Sequence, residues 1–415
     1  MSGGLTIMAG AVIFLIITLI LVGALLFAKA KLIPSGNVKM VVNDEKVFEV
    51  PMGSTVLNTL QSQGIFLSSA CGGGGSCGQC RCQIPEGGGN ILPTEVGFFS
   101  RKQIQDNWRL GCQAKVKEDM KITVPEEVFG VKAWECIVVS NHNVASFIKE
   151  FTVKLPEGET MNFQPGSYAQ IEIPKFDLKF TEFAIEDRFK EEWDKFKMWD
   201  LACKNEEETT RAYSMANYPA EGNIITLNVR IATPPFDRNT GSWMAGVKPG
   251  IGSSYIFNLK PGDKVQMSGP YGDFHILDTK REMLYIGGGA GMAPLRAHLL
   301  HLFKTLKSDR KVSYWYGARS KSEIFYEEDF REIEKEFPNF KFNIALSEPR
   351  PEDNWTGYVG FIHQVILDNY LNEHEAPEDI EYYMCGPGPM SRAAEGMLDS
   401  LGVPREMIHF DDFGA

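Results

Sequence analysis

The chain has 415 residues, of which 43% are hydrophobic and 23% charged. It is therefore long enough for several domains with buried cores, and it is not disordered as a whole. The formal net charge of -12 argues against binding to nucleic acid, because phosphates attract a basic surface.

The amino-terminal residues differ from the rest of the chain. No charged residue occurs from Leu5 to Ala28, and as a helix this run would reach roughly 36 Å, more than a hydrocarbon core of about 30 Å. Residues 1–31 are therefore predicted to form a single transmembrane anchor. A cleaved signal peptide is the alternative, although no basic residue precedes the run. Lys29 and Lys31 follow it, which places the larger carboxyl-terminal part in the cytoplasm.

Residues 37–125 predict a compact α+β domain. Two short strands flank a turn at Asn43, and a helix is expected to begin after Ser54 as its N-cap and to stop at Gly64. A glycine-rich loop with closely spaced thiols comes next, "CGGGGSCGQCRC", at 71–82.

The spacing of the thiols indicates an iron-sulfur cluster. Cys71, Cys77 and Cys80 form a C-x5-C-x2-C pattern, and Cys112 comes about thirty residues later. Three thiolates in one loop and a distant fourth suit a 2Fe-2S cluster, and the neighbouring glycines let backbone N–H groups approach the sulfurs. A zinc site is the alternative, although only one C-x2-C pair is present. Cys82 is one residue out of phase and is predicted to point away.

The loop resembles that of the adrenodoxin-like branch of β-grasp ferredoxins, and this resemblance implies a β-grasp 2Fe-2S domain. No ligand role is assigned to Cys82, Cys136 or Cys203.

Residues 130–275 alternate apolar and polar positions in short runs, which is typical of an antiparallel barrel or sandwich. A charged and aromatic insertion interrupts them at 175–210; it is interpreted as an amphipathic helical flap or docking surface, or else as a solvated excursion. Within the predicted barrel, Arg211, Tyr213 and Ser214 supply a cation for a pyrophosphate, a ring to lie against a flavin and a hydroxyl to hydrogen-bond its N5. A surface cation-π pair is the alternative for the first two.

A glycine-serine turn begins at Gly250, and "GPYGDF" ends a later strand. Together with Arg-x-Tyr-Ser, this combination resembles the flavin domain of the ferredoxin-NADP reductase family, which implies FAD. The resemblance assigns to FAD the residues Arg211, Tyr213, Ser214, Asn228, Val229, Arg230, Gly250, Gly252, Ser253 and Ser254.

Residues 280–415 alternate strands and helices, which predicts an α/β nucleotide-binding domain. "GGGAGMAP" at 287–294 has Met292 where the third glycine of G-x-G-x-x-G would stand, and it resembles the GGGxGxxP turn of the same reductase family. For the glycine turn alone, a tight helix entry without a ligand is the alternative. "CGPGPM" at 385–390 resembles the turn that this family places beside nicotinamide. The resemblance assigns to NADH the residues Gly287, Gly288, Gly289, Gly291, Pro294, Cys385, Gly386 and Pro387.

Three residues of these domains are expected to act in catalysis. The resemblance gives this role to Tyr213, Ser214 and Cys385, although a buried strand-end thiol is the alternative for Cys385. The same resemblance implies that Phe413, near the end of the chain, covers one face of the flavin; a disordered tail is the alternative.

The residues do not decide between NADH and NADPH. Arg319 and Lys321 follow the second strand of the predicted nucleotide domain, where basic side chains favour a 2'-phosphate, but several acids accompany them.

The order of anchor, ferredoxin, flavin domain and nucleotide domain resembles the NADH-oxidising subunits of sodium-translocating NADH:quinone oxidoreductases. This resemblance implies hydride transfer from NADH to FAD, single electrons to the 2Fe-2S cluster, integral membrane partner subunits that lead to quinone, and a bacterial inner membrane. The alternative is a membrane-anchored reductase component of an oxygenase or desaturase.

Overall fold

The structure, a computed structural model, describes residues 10–23, 36–237 and 240–411. Residues 10–23 form helix α1, with exposed side chains. Among the helices in these ranges, none has both the length and the hydropathy that crossing a bilayer requires. Residues 1–9 and 24–31 of the predicted anchor lie outside the described residues.

The described chain divides into two compact units. The first comprises the described residues up to Leu67 together with Gly73–Phe129, and the second comprises Ser68–Gly72 and the described residues from Gly130 onwards. Each has its own hydrophobic core.

The first unit contains a five-stranded mixed sheet in the order β2-β1-β5-β3-β4, with β1 parallel to β5 and the other pairs antiparallel. Its elements are β1 (Asn37–Val42), β2 (Lys46–Pro51), α2 (Val56–Ser62), β3 (Arg81–Glu86), α3 (Arg101–Gln105), β4 (Trp108–Leu110) and β5 (Met120–Thr123). This arrangement is the one expected from the ferredoxin resemblance.

The predicted turn at Asn43 is confirmed, because Asn43 and Asp44 both have positive φ, as a tight hairpin requires. The predicted N-cap of α2 is wrong by one residue. Thr55, not Ser54, accepts the hydrogen bond from Asn58 N, at 3.2 Å, and either hydroxyl residue can do so by the same chemistry.

The flavin half of the second unit contains a six-stranded antiparallel sheet in the order β11-β8-β15-β6-β7-β12. Its elements are β6 (Lys132–Ala145), β7 (Ile148–Lys154), β8 (Tyr168–Ile173), β9 (Phe176–Lys179), α4 (Asp187–Lys195), β10 (Ala202–Asn205), β11 (Thr209–Ser214), β12 (Ile224–Arg230), β13 (Phe236–Asp237), β14 (Ser242–Trp243), α5 (Ile251–Asn258) and β15 (Lys264–Tyr271). An isolated bridge joins Met215 to Leu227. Closure into a barrel stays a prediction.

The insertion forms α4 and a small sheet of β9 and β10. Its side chains Phe180, Phe189 and Trp193 are buried in the same core as Phe151 and Val153 of β7. Because α4 buries residues four positions apart on one face, it packs as an amphipathic helix. The insertion is therefore part of a packed core, and the alternative of a solvated excursion is wrong.

The nucleotide half of the second unit has a parallel sheet in the order β19-β18-β17-β16-β20-β21. Its elements are β16 (Met283–Gly288), α6 (Met292–Leu300), β17 (Val312–Ala318), α7 (Glu327–Glu336), β18 (Phe340–Leu346), β19 (Tyr358–Val359), α8 (Ile362–Asn369), β20 (Glu381–Cys385), α9 (Gly388–Ser400) and β21 (Ile408–Asp411). The strand order reverses between β16 and β20, the position at which doubly wound sheets bind ligands.

Candidate functional site

The first unit supplies three of the four predicted cluster ligands. Cys80 and Cys112 are buried and Cys77 is half-buried, whereas Cys71 falls in the segment grouped with the second unit. The backbone N–H of Cys112 donates to the Cys80 sulfur at 3.5 Å, and Gln113 Nε2 lies 3.7 Å from the Cys112 sulfur. Amide donors beside sulfur are the surroundings that a 2Fe-2S cluster uses.

The backbone of the cysteine loop has the conformation that its glycines permit. Gly72, Gly73, Gly75 and Gly78 all have positive φ, between 62° and 89°, a region that other residues rarely adopt. Within the described ranges, no three His, Cys, Asp or Glu side chains form a group ready to hold a metal ion. The chemistry of the loop fits the cluster, and the set of four ligands stays a prediction.

Cys82 lies on β3, fully buried, with its sulfur 3.9 Å from the Arg109 carbonyl oxygen. Burial, partly offset by Arg109, raises the pKa of the Cys82 thiol to about 12. Cys82 pairs with Arg109 of the neighbouring strand β4, and its sulfur lies against that residue's backbone, which agrees with leaving Cys82 out of the predicted set.

A buried ion pair holds the strand that leads to Cys112. Arg109 forks onto Glu95, with Nη2 2.7 Å from Oε2 and Nε 3.0 Å from Oε1. Glu95 also accepts from Leu110 N at 2.8 Å. The carboxylate therefore fixes the backbone two residues before Cys112. Sequence inspection missed this pair, because nothing in a lone Glu or Arg marks it as buried.

The predicted flavin-binding strand is β11, which carries Arg211, Tyr213 and Ser214. The first two share a face, because side chains alternate along a strand. Gly252, in the first turn of α5, lies against both: a Cβ there would come within 2.5 Å of Tyr213 Oη and 2.9 Å of Arg211 Cγ. The structure therefore brings the Arg-x-Tyr-Ser motif and the glycine-serine turn together. Burial raises the pKa of Tyr213, so its hydroxyl remains neutral.

The Ser214 hydroxyl donates to Asp411 Oδ2 at 2.5 Å. Asp411 ends β21 of the nucleotide sheet, and sequence inspection missed it because 197 positions separate the two residues. The hydroxyl has one hydrogen and spare lone pairs, so Ser214 Oγ can still accept a hydrogen bond.

Four of the other predicted FAD residues, Asn228, Val229, Ser253 and Ser254, are buried. The Ser253 hydroxyl is used within the turn, where it accepts from Ala232 N at 3.0 Å. Asn228 donates to the Tyr326 hydroxyl at 2.8 Å. The start of α5 offers backbone N–H groups to a phosphate, because the first turn of any helix leaves its N–H groups without an intrahelical partner. Phe413 lies outside the described residues.

The two predicted nucleotide turns lie side by side at the carboxyl ends of β16 and β20, where Gly287 pairs with Cys385. A Cβ on Gly291 would overlap the Cys385 carbonyl oxygen, and one on Gly288 would come within 2.7 Å of Met390 Sδ. Glycine is required at 291, because the atoms it approaches are backbone atoms. Helix α6 begins at the next residue, and the backbone N–H groups of a helix start suit a phosphate. Pro294, in the first turn of that helix, is buried.

A cavity of about 930 Å³ lies at this edge of the sheet. Gly288, Gly289 and Pro387 line it from the nucleotide half, and Arg230 and Thr233 line it from the flavin half. Its size is in the range of dinucleotide and cofactor sites. Cys385 is fully buried in the adjoining core and is not one of the lining residues, so a direct catalytic role for its thiol stays a prediction.

The cavity carries both positive and negative side chains. Arg230, Arg319 and Glu323 line it. Burial and the neighbouring Arg319 lower the pKa of Arg230, while Glu323 opposes the shift. A guanidinium stays charged through such a shift, so Arg230 remains a cation, whereas Arg319 is paired with Glu192 and Glu323.

Family profiles match three stretches of the chain. Residues 40–117 match the 2Fe-2S iron-sulfur cluster binding domain, residues 195–276 the oxidoreductase FAD-binding domain, and residues 285–396 the oxidoreductase NAD-binding domain. These matches support 2Fe-2S, FAD and NADH as the cofactors and substrate expected from the motifs.

Among solved structures, a cytochrome P450 reductase from Amycolatopsis is 22% identical with a TM-score of 0.62, covering 91% of this chain and 98% of that one. A ferredoxin reductase in carbazole 1,9a-dioxygenase is 24% identical with a TM-score of 0.58, at the same coverage. At these identities the likeness concerns the fold alone.

Curated relatives are much more similar. One from Pseudomonas aeruginosa (strain UCBPP-PA14) is 53% identical over 401 residues, 97% of each chain, and one from Actinobacillus pleuropneumoniae serotype 5b is 54% identical over 407 residues, 98% of each chain. Both are named as the F component of a Na(+)-translocating NADH-quinone reductase. The chain belongs to this family of Na(+)-translocating NADH-quinone reductase F components.

Proposed function

We propose that this chain is the NADH-oxidising subunit of a membrane respiratory complex. In this proposal, electrons from NADH pass to FAD, then singly to a 2Fe-2S cluster, and reach quinone through integral membrane partner subunits of a sodium-translocating NADH:quinone oxidoreductase. The names and near full-length similarity of the relatives support this assignment.

The cavity at the carboxyl edge of the nucleotide sheet is the observation that carries the proposal. The glycine turn of β16 and the end of flavin-sheet strand β12 both contribute to its wall. A dinucleotide seated there would contact residues of both halves of the second unit. The Ser214–Asp411 hydrogen bond also joins the flavin strand to the nucleotide sheet.

Each cofactor would be held by a different set of residues. Arg211 and the start of α5 would hold the FAD pyrophosphate, Tyr213 would lie against the ring, and Cys71, Cys77, Cys80 and Cys112 would hold the cluster. Bound FAD would supply two-electron acceptance and one-electron release. Gly288, Gly289 and the α6 N-terminus would hold the NADH pyrophosphate. Ser214 would accept a hydrogen bond at Oγ while it donates to Asp411.

The membrane location is part of the proposal. Residues 1–31 would anchor the chain once in a bacterial inner membrane, with the remainder in the cytoplasm. The uncharged run from Leu5 to Ala28 and the following lysines support this arrangement.

An anaerobic NADH titration tests the function. The full chain, isolated with its membranes, and a chain without residues 1–31 are titrated while flavin absorbance and low-temperature EPR are followed. We expect flavin bleaching and the signal of a reduced 2Fe-2S cluster in both, and loss of membrane attachment in the shortened chain. If NADH does not bleach the flavin, the NADH-to-FAD step is contradicted. If the flavin bleaches without an EPR signal, the 2Fe-2S cluster is contradicted. If the shortened chain still attaches to membranes, the anchor is contradicted.

A further inference from the structure

Glu192, on helix α4 of the insertion, is a buried carboxylate that faces three cations. Its side chain is 7% exposed, with Arg350 Nη2 2.5 Å from Oε1, Arg319 Nη2 3.3 Å from Oε2 and Lys195 Nζ 3.2 Å from Oε1. Burial opposes ionisation, but Lys195, Arg319 and Arg350 outweigh it and lower the pKa of Glu192. The group is therefore an anion at neutral pH.

The two arginines belong to adjacent loops of the nucleotide sheet. Arg319 directly follows β17, and Arg350 lies in the loop after β18. Glu348 N donates to Arg319 O at 2.7 Å, and Ser347 N donates to Ala318 O at 2.9 Å. Arg319 and Ser347 also line the dinucleotide cavity. This edge is where doubly wound domains distinguish a ribose 2'-hydroxyl from a 2'-phosphate, and an arginine nearby is the usual partner of the phosphate.

We propose, on the basis of the function proposed above, that Glu192 is a specificity-determining residue that makes the enzyme reject NADPH. Its carboxylate holds Arg319, the arginine of this pair that lines the cavity, and also Arg350 of the adjacent loop, so that neither guanidinium is released to a 2'-phosphate. The binding of NADH is not weakened, because its ribose 2'-hydroxyl is uncharged and needs no guanidinium as a partner. The same sequence that contains Arg319 can therefore serve an NADH enzyme.

A purely structural role is the competing explanation. Glu192 joins the insertion to the nucleotide half, and Arg319 also pairs with Glu323 at 3.4 Å. If the contact only held these parts together, its loss would slow NADH and NADPH equally. The ratio of the rates with NADPH and with NADH therefore separates the two explanations, because a structural change that slows both reactions equally leaves this ratio unchanged.

The test compares Glu192→Gln with the matched control Glu191→Gln. Glu191 is exposed on the same helix, so its neutralisation makes the same change in net charge. Anaerobic flavin reduction by NADH and by NADPH is measured in the full, FAD-loaded chain. We expect Glu192→Gln to raise the NADPH-to-NADH ratio of second-order rate constants by at least about tenfold. We expect Glu191→Gln to leave the ratio within about twofold of the unchanged chain.

A binding measurement removes the dependence on flavin. Calorimetry with adenosine 2',5'-bisphosphate and with 5'-AMP is expected to show a preference for the bisphosphate in Glu192→Gln, and to lose it when Arg350→Ala is added. If Glu192→Gln does not fold, Glu192→Asp, which withdraws the carboxylate by one methylene, is expected to shift the ratio in the same direction. An unchanged ratio in a folded variant overturns the assignment of Glu192. Failure of NADH to reduce the unchanged chain overturns the proposed function instead.

Discussion

Lys149, on strand β7, is a cationic side chain inside the second unit. It is 1% exposed, and its Nζ lies 3.3 Å from the Phe257 carbonyl oxygen. Burial lowers its pKa to about 8, with Glu186 opposing the shift. Because the unfolded lysine binds its proton up to about pH 10.4, the unfolded state holds more protons between these values. The free energy of unfolding should therefore rise with pH across that window.

We expect Lys149→Met to be more stable than the unchanged chain at pH 7, by about 1–3 kcal/mol. At that pH the lysine carries its full cost of burial, whereas methionine carries none. The difference should shrink from pH 8 upward and vanish above about pH 10.5, where the lysine is neutral in both states. Denaturant unfolding at several pH values measures it, with exposed Lys154→Met of the same strand as control. A difference independent of pH would contradict a buried charge.

At the scale of elements, features that are local in sequence could be predicted. The thiol spacing, the Asn43 turn and the glycine turn after β16 need only neighbouring residues, because backbone conformation and strand ends determine them. Long-range partners could not be found this way. Ser214 meets Asp411 from 197 positions away, and Glu192 meets Arg350 from 158 positions away. No local pattern marks a polar side chain that tertiary packing will pair.

The contact between α5 and β11 predicts the effect of a single methyl group. In Gly252→Ala the new Cβ would come within 2.5 Å of Tyr213 Oη, so Tyr213, Arg211 or the helix must move. We expect FAD affinity to fall by at least about tenfold, or about 1.4 kcal/mol. Flavin fluorescence during reconstitution measures it. The control is Gly130→Ala, because a Cβ on Gly130 meets no atom within 4 Å. An unchanged affinity would exclude this turn from the FAD site.

At the scale of the whole molecule, the order of the domains could be predicted from the sequence better than the side chains that pack against each other within them. Each module carries a motif of its own, and the family profiles match the chain in the predicted order. The sequence alone did not decide whether the aromatic side chains of the insertion are buried, because Phe189 and Trp193 suit an exposed docking surface as well as a core. Only packing against β7 decides between them, and this contact is not local in sequence.

Because the two units have separate hydrophobic cores, we expect that the 2Fe-2S cluster can be lost while the flavin stays bound. The buried apolar residues of the first unit, from Met40 to Val128, form one core that contains no residue of the second unit. We therefore expect Cys77→Ala to abolish the 2Fe-2S EPR signal while NADH still bleaches the flavin, at a rate within about twofold of the unchanged chain.

Cys82→Ala is the matched control for this change. Its thiol is buried in the same unit and lies beside the Arg109 carbonyl, so this variant should keep both the EPR signal and flavin bleaching. Loss of the signal would make Cys82 a ligand. Loss of bleaching in Cys77→Ala would instead show that the flavin site depends on the loaded cluster, because thiol removal alone alters no core residue of the second unit.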